Sequence, residues 1–198
     1  MKKINIIVIF FTACFLAFLI YLKYNKDETK ILILGDSNLI DLSDNNYVYY
    51  LNKKYKYINY KFTDEYKKYN EIENDIKNNK YIYFKGKKTY LNQEISSSNI
   101  IIINANNLEY LSKCNKPRRI INEYNIKIYN DITSLVNIIK RISDAKIIVI
   151  GNTCTNNNIK SFNNNYYNYI DVSEIYDSKA INSFEYLLYK KIDEYVKN

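Results

Sequence analysis

The chain has 198 residues and carries 29 lysines and arginines against 21 acidic residues, a formal net charge of +8. It contains 23 tyrosines, three cysteines and no histidine. The missing histidine excludes Ser–His and Cys–His nucleophile pairs, histidine metal ligands and a histidine pH switch within this chain. Three cysteines are too few for a four-cysteine zinc site or a disulfide scaffold. We therefore expect no metal and no organic cofactor.

The positive charge is scattered among acidic side chains. No stretch combines a basic stripe with interleaved aromatic residues, which is the pattern of nucleic-acid-binding grooves. Part of the charge comes from lysines that flank an apolar segment at the N-terminus, where basic residues influence membrane topology. We therefore expect no nucleic-acid partner.

Residues 4–22 contain no charged side chain. A helix that rises about 1.5 Å per residue would nearly match a hydrocarbon core of about 30 Å over this length. The run lacks the small-residue cleavage site of a secretory signal, and it stays apolar beyond Cys14, where a lipoprotein would turn polar. We predict a single-pass signal anchor over residues 1–23, a polar linker over 24–30 and a domain over 31–198. This domain is expected on the extracytoplasmic side of the cell membrane.

Apolar runs and helical patterns alternate along the predicted domain. The best strand candidates are almost continuously apolar, which is typical of parallel strands covered on both faces. The sequence therefore predicts an α/β fold, a three-layer sandwich with a central parallel sheet. In chain order the predicted elements are a strand at 31–34, a helix at 46–54, a strand at 57–61, a helix at 63–80, a hairpin at 81–90, a strand at 100–103, a helix at 131–143 with Asp131 in its first turn, strands at 146–150 and 167–172, and a helix at 181–196.

Ligand sites in such sheets lie beyond the carboxyl ends of the strands. Polar runs follow predicted strands at 35–38, 104–107, 151–153 and 171–182. In the first of these runs a glycine allows a sharp turn, and Ser37 stands at the expected helix start. Backbone N–H groups and the helix dipole can stabilise an oxyanion there.

Two of these runs resemble conserved blocks of the SGNH/GDSL hydrolases. The run ILILGDSN at 31–38 resembles block I, whose serine is the nucleophile and an oxyanion donor, and Ser37 is the matching residue. The run IIIINANN at 100–107 resembles block III, whose asparagine donates to the oxyanion hole, and Asn107 matches it. Ala105 stands where the family has glycine, and block II has no counterpart that we can place.

The C-terminal run YDSKAINSFEYLLYKKI resembles the closing block of the same family. Asp177 matches the catalytic aspartate, Asn182 the asparagine and Tyr186 the tyrosine. Ala180 falls where the family has its catalytic histidine. The resemblance covers nearly all of the predicted domain and implies an SGNH-hydrolase fold, which is flavodoxin-like.

The resemblance implies ester or acyl hydrolysis at a cell-envelope surface, with lipids or acylated glycans as substrates. A serine needs a base to take its proton. Loss of the histidine costs roughly 10⁶-fold in well-studied hydrolases, and oxyanion donors and binding retain about 10³–10⁴ over water. We therefore expect a weakly active or inactive hydrolase-like protein. A non-catalytic envelope binding or scaffolding module and an active esterase with another base, Lys179 or Tyr176, remain open.

Each matched residue also has a simpler interpretation. Ser37 can cap the helix after the first strand, and Asn107 can satisfy the backbone of a turn. Asp177 can be a loop acid. Cys114 and Cys154 can form a disulfide outside the cell or remain free thiols. The sequence does not choose between these interpretations.

Overall fold

The structure, a computed structural model, describes residues 11–18, 27–35, 47–59, 69–84, 87–104, 116–151, 166–172, 175 and 181–197. Among these residues, no helix combines the length and the apolar composition that crossing a membrane requires. Residues 11–18 are helical. The elements that follow are β1 (Asp27–Gly35), α1 (Tyr47–Lys54), β2 (Tyr55–Asn59), α2 (Tyr69–Lys77), β3 (Tyr81–Phe84), β4 (Lys87–Tyr90), α3 (Leu91–Ser96), β5 (Ile100–Asn104), α4 (Arg118–Lys140), β6 (Lys146–Gly151), β7 (Asn168–Asp171) and α5 (Ile181–Lys197).

Five of the strands form one parallel sheet in the order β2-β1-β5-β6-β7. The chain leaves β1 for β2 on one side and later returns to place β5 on the other side of β1. The strand order therefore reverses between β1 and β5, and the carboxyl ends of these two strands flank the switch point. Crevices at such a point are the usual ligand sites of open α/β sheets.

Both faces of the sheet are buried, which explains why its central strands are apolar at successive positions. In β1, Leu32 and Leu34 belong to a core that α2, α3 and α4 cover, whereas Ile31 and Ile33 belong to a second core under α1 and α5. The prediction of an α/β fold with a central parallel sheet is confirmed.

The predicted hairpin is also confirmed. Strands β3 and β4 pair in antiparallel fashion, and Tyr81 faces Tyr90 across them. Their rings lie with centroids 4.1 Å apart. The two strands form a separate two-stranded sheet, so they are an insertion between α2 and α3 and add no strand to the central sheet.

Helix α4 corrects the prediction of a helix at 131–143. It begins at Arg118, so Asp131 lies in its middle and not in its first turn. Towards the N-terminus the buried face of the helix continues with Asn125 and then with Ile121. A polar residue in the core position interrupted the hydrophobic pattern and concealed the first half of the helix.

The first strand also starts earlier than the sequence indicated. Strand β1 begins at Asp27, so residues 27–30 of the expected linker are part of the central sheet. Lys30 bonds this end of β1 to the turn before β5 and to α3. Its backbone N–H donates to Asn99 Oδ1 at 2.8 Å, and its Nζ lies 2.8 Å from Glu94 Oε2.

Four tyrosine rings pack together on the outer side of α1 and α5. Tyr50 lies at the centre, with ring centroids 5.5 Å from Tyr49, 5.4 Å from Tyr186 and 5.5 Å from Tyr189. Most of these contacts join the two helices, so the tyrosine cluster helps to fix the helical layer on this face.

Candidate functional site

The five parallel strands of the central sheet all end at one edge, which we call the carboxyl edge. Gly35 at the end of β1 pairs with Asn104 at the end of β5, and Gly151 at the end of β6 pairs with Asp171 at the end of β7. The polar runs that the sequence singled out therefore leave adjacent strands at the same edge.

Gly35 is required by its surroundings. Its φ of +151° is a conformation that side-chain-bearing residues rarely adopt, and an added Cβ would lie 1.9 Å from the carbonyl oxygen of Asn104. Such a distance is far inside van der Waals contact with backbone. The absence of a side chain thus lets the end of β1 lie directly against the backbone of β5.

Asn104 is a fixed polar group at the switch point. Its side chain is buried, and its Nδ2 donates a hydrogen bond to the Tyr47 hydroxyl at 3.0 Å. Tyr47 is the first residue of α1, so this bond joins the start of that helix to the end of β5. Asn104 Oδ1 is buried and has no hydrogen-bond partner among the described residues. It is therefore an oriented acceptor for a donor from an adjoining loop or a ligand.

The other half of the carboxyl edge carries a buried carboxylate. Asp171 is 2% exposed at the end of β7. The chain continues with Val172, whose N–H donates to the carbonyl of Gly151 at 2.8 Å. The side chain of Tyr169 lies across Gly151, where an added Cβ would come 2.4 Å from its hydroxyl oxygen. This edge therefore gathers an amide, a carboxylate and two tyrosine side chains.

Most of the site residues predicted from the sequence lie outside the described residues. Their interpretation as nucleophile, oxyanion donor, acid and lost base stays a prediction. Asn182 lies on α5, but its side chain is not described. Tyr186 is exposed and belongs to the tyrosine cluster. The residues outside the description are Ser37, Asn107, Asp177, Ala180, the alternative bases Lys179 and Tyr176, and the cysteines Cys114 and Cys154.

Sequence reasoning missed Tyr47. The helix that it begins was expected, but a tyrosine in an apolar stripe is most often a core residue, and nothing in its spacing marked the hydroxyl as a partner of Asn104. Its position gave the available signal. A helix that follows the first strand of such a fold starts near the carboxyl edge, so its first side chains face the candidate site.

The opposite edge of the sheet, which we call the amino edge, holds a charged network. Asp193 on α5 is buried and accepts hydrogen bonds from Lys54 Nζ and the Tyr55 hydroxyl, and Lys197 Nζ lies 2.7 Å from its Oδ2. Burial by itself raises the pKa of Asp193, but the hydrogen bonds from Lys197, Lys54 and Tyr55 outweigh burial and lower it to about 2. The network joins α1, β2 and α5.

No group of three or more carboxylates and thiols within the described part of the chain is arranged to hold a metal ion. No protein-family model matches the chain, and no curated protein matches it.

Proposed function

We propose that this chain is a membrane-anchored protein that resembles the SGNH/GDSL hydrolases, with an ester or acyl hydrolase scaffold whose catalytic base has been lost. One observation carries the proposal. Gly35 and Asn104, which belong to the runs that resemble blocks I and III, are paired neighbours at the switch point of a parallel sheet. The strands of two blocks that are 69 residues apart in sequence thus end side by side, as residues that act at one site require.

The sheet order supports the finer fold assignment. Numbered along the chain without the hairpin, the strands have the order 2-1-3-4-5, which is the flavodoxin-like doubly wound order. With helices over both faces, we assign a three-layer sandwich of the SGNH-hydrolase type.

The proposed chemistry follows from the residues in these runs. Ser37 is the nucleophile, and its own N–H and the Asn107 amide donate to the oxyanion. Asp177 is the acid that would have oriented a base at position 180, where this chain has alanine. Without that base the serine proton has no efficient acceptor, so turnover falls by roughly 10⁶-fold relative to a complete triad. Stabilisation of the oxyanion alone leaves about 10³–10⁴ over water.

The apolar N-terminal segment supports the proposed anchor. Residues 11–18, within the predicted span, are helical, and Phe11, Phe15 and Phe18 are each more than half exposed. Large apolar side chains exposed around a helix are favourable in lipid and unfavourable in water. We place the domain on the extracytoplasmic side of the cell membrane, with an acylated glycan or an envelope lipid as the substrate class.

Ester cleavage by the full chain tests the proposed activity. In neutral detergent, p-nitrophenyl acetate should be cleaved slowly by the wild type and only at the background rate by Ser37→Ala. Ser96→Ala, which removes an exposed hydroxyl at the amino edge, is the matched control and should leave the slow rate unchanged. Ala180→His should raise the rate, because it restores a base at the position matched to the catalytic histidine.

A non-catalytic envelope binding module is the second candidate. The buried Oδ1 of Asn104 favours it, since an oriented acceptor at the switch point can bind a ligand hydroxyl without any base. Equal rates for the wild type, Ser37→Ala and Ala180→His would overturn the hydrolase proposal in favour of this module. A fast rate that Lys179→Ala abolishes would instead establish an esterase with a lysine base.

A further inference from the structure

A polar cavity of about 480 Å³ opens at the amino edge, on the side of the sheet opposite the proposed hydrolase site. It is lined by the turn that precedes β5 and by the segment that joins α4 to β6, including Asn99, Arg141 and Ser143. Small-molecule sites occupy roughly 300–1,000 Å³, so the cavity is large enough for a ligand bigger than a single inorganic ion.

Three hydrogen-bond donors at this cavity have no acceptor among the described residues. The Arg141 guanidinium is exposed and makes no ion pair with them. Asn99 Oδ1 accepts from the Lys30 N–H, which leaves the Nδ2 group of Asn99 to donate elsewhere. Ser143 Oγ accepts from the Ala145 N–H at 3.1 Å, which leaves its own proton available.

The charge at the cavity favours an anion. Lys140 also lines it, and its Nζ donates to the Ala145 carbonyl at 2.8 Å. The exposed carboxylate of Asp144 is the acidic member of the lining, against the two cations Lys140 and Arg141. A guanidinium together with hydroxyl and amide donors is the arrangement that binds phosphate oxygens.

The amino edge is also the edge at which the chain enters the domain. Asn99 accepts from Lys30 of β1, so the cavity lies beside the first strand. Four residues, 23–26, lie between the end of the apolar run at 22 and Asp27, so the two ends are at most about 18 Å apart in a fully extended chain. A domain on so short a connection must hold its amino edge close to the bilayer.

Lysines end the longest helices at the same edge, where Lys54 and Lys197 are paired with Asp193 and Lys77 is paired with Glu73. The helices run antiparallel to the strands, so their C-termini lie at the amino edge, and each of the four longest has a lysine in its last turn. These lysines are Lys53 and Lys54 in α1, Lys77 in α2, Lys140 in α4 and Lys197 in α5.

We infer that the cavity lined by Asn99, Arg141 and Ser143 binds the phosphate of an anionic phospholipid headgroup. The lipid is that of the membrane in which the chain is anchored, so this inference rests on the anchor of the proposed function. Headgroup binding holds the amino edge against the bilayer. The carboxyl edge with its candidate site consequently faces away from the membrane, which favours the acylated glycan over the envelope lipid as its substrate.

Hydrogen exchange on the full chain in vesicles tests the inference. The chain is reconstituted into phosphatidylcholine alone or into phosphatidylcholine mixed with phosphatidylglycerol. Amides of 96–99 and 141–146 should exchange about 3–10-fold more slowly in the mixed vesicles only, because a ligand that binds the closed state reduces opening. Arg141→Glu should abolish this protection.

Arg118→Glu is the matched control. Arg118 is exposed at the other end of α4, about 35 Å away along the helix, and carries the same change of charge. Its protection should equal that of the wild type. If both variants lose the protection equally, the effect depends on net charge alone and the site is overturned. Protection of the wild type that is the same in both kinds of vesicle would also overturn the site. Identical protection by inorganic phosphate with phosphatidylcholine vesicles would assign the cavity to a free anion instead of a lipid.

Flotation of the same samples separates this inference from the anchor. Flotation with both kinds of vesicle, for the wild type and both variants, establishes the anchor whatever the exchange data show. If the wild type floats only with mixed vesicles and Arg141→Glu floats with neither kind, the anchor is overturned and the headgroup site is still supported. Flotation with neither would overturn both.

Discussion

The two edges of the central sheet are built differently. At the carboxyl edge the Asn104 amide donates to the Tyr47 hydroxyl, Asp171 is buried, and Gly35 leaves no room for a side chain. At the amino edge a buried aspartate is satisfied by three donors, and lysines end the surrounding helices. The network at the amino edge joins α1, β2 and α5, whereas at the carboxyl edge Asn104 Oδ1 has no partner among the described residues.

The largest expected effect comes from adding a side chain at Gly35, at the carboxyl edge. Gly35→Ala should destabilise the protein by about 3–5 kcal/mol, because the new methyl group meets the backbone of Asn104 and the φ angle strains any side chain. Urea unfolding of the full chain in neutral detergent, followed by tyrosine fluorescence, measures this change.

Gly151→Ala is the companion variant for that measurement. Its added methyl group meets the outer end of the Tyr169 side chain, which can shift, so we expect a cost of only about 1–2 kcal/mol. If both variants lose the same free energy of unfolding, the close contact between Gly35 and the Asn104 backbone does not make position 35 more sensitive than position 151.

The second effect tests the charged network at the amino edge. Asp193→Asn should cost about 2 kcal/mol at neutral pH, which is the free energy that corresponds to lowering the pKa of this carboxyl to about 2. The two lysines are partly exposed and regain hydration, so the cost stays below that of breaking a fully buried ion pair. Glu194→Gln, at the exposed neighbouring position, should change the free energy of unfolding by less than about 0.5 kcal/mol.

The same network gives a pH dependence of defined sign. Because the pKa of Asp193 is lower in the folded than in the unfolded protein, its contribution is complete above about pH 4 and is lost as the pH falls towards 2. Over this pH range the free energy of unfolding of the wild type should therefore fall by about 2 kcal/mol more than that of Asp193→Asn. Parallel stability curves for the two proteins would contradict the assignment.

The smallest effect compares a tyrosine hydroxyl at each edge. Tyr47→Phe should cost about 1–2 kcal/mol at every pH from 2 to 8, since it leaves the buried Asn104 amide without its described acceptor. Tyr55→Phe removes a donor to Asp193, so its cost should be larger where that carboxyl is ionised, because a charged acceptor strengthens the bond. Unfolding at acidic and neutral pH distinguishes the two, and equal pH dependence would contradict the contrast between the edges.

Much of the scaffold was predictable from the sequence because its signals are local. The runs ILIL, IIII and KIIVI are buried on both faces, and such runs predict central parallel strands without knowledge of their neighbours. The first half of α4 was not predictable in this way, because Asn125 occupies a core position and breaks the periodicity.

The groups that distinguish the edges depend on contacts between distant parts of the chain. Asp193 lies in a charged C-terminal helix, and its role depends on Tyr55, which is 138 residues away in sequence. Asn104 and Tyr47 are 57 residues apart. The motif at 35–38 predicts a site after the first strand, and the roles of Ser37, Asn107 and Asp177 stay predictions.

The tyrosine cluster on α1 and α5 has an optical consequence. Closely packed phenol rings in a fixed chiral arrangement produce near-ultraviolet circular dichroism, and this chain has no tryptophan whose bands would overlap it. Tyr50 contacts rings from both helices, so the contribution of this cluster, which adds to that of the Tyr81–Tyr90 pair, reports the docking of the C-terminal helix. The protein therefore carries a built-in chromophore for the assembly of one helical layer, which requires no attached label.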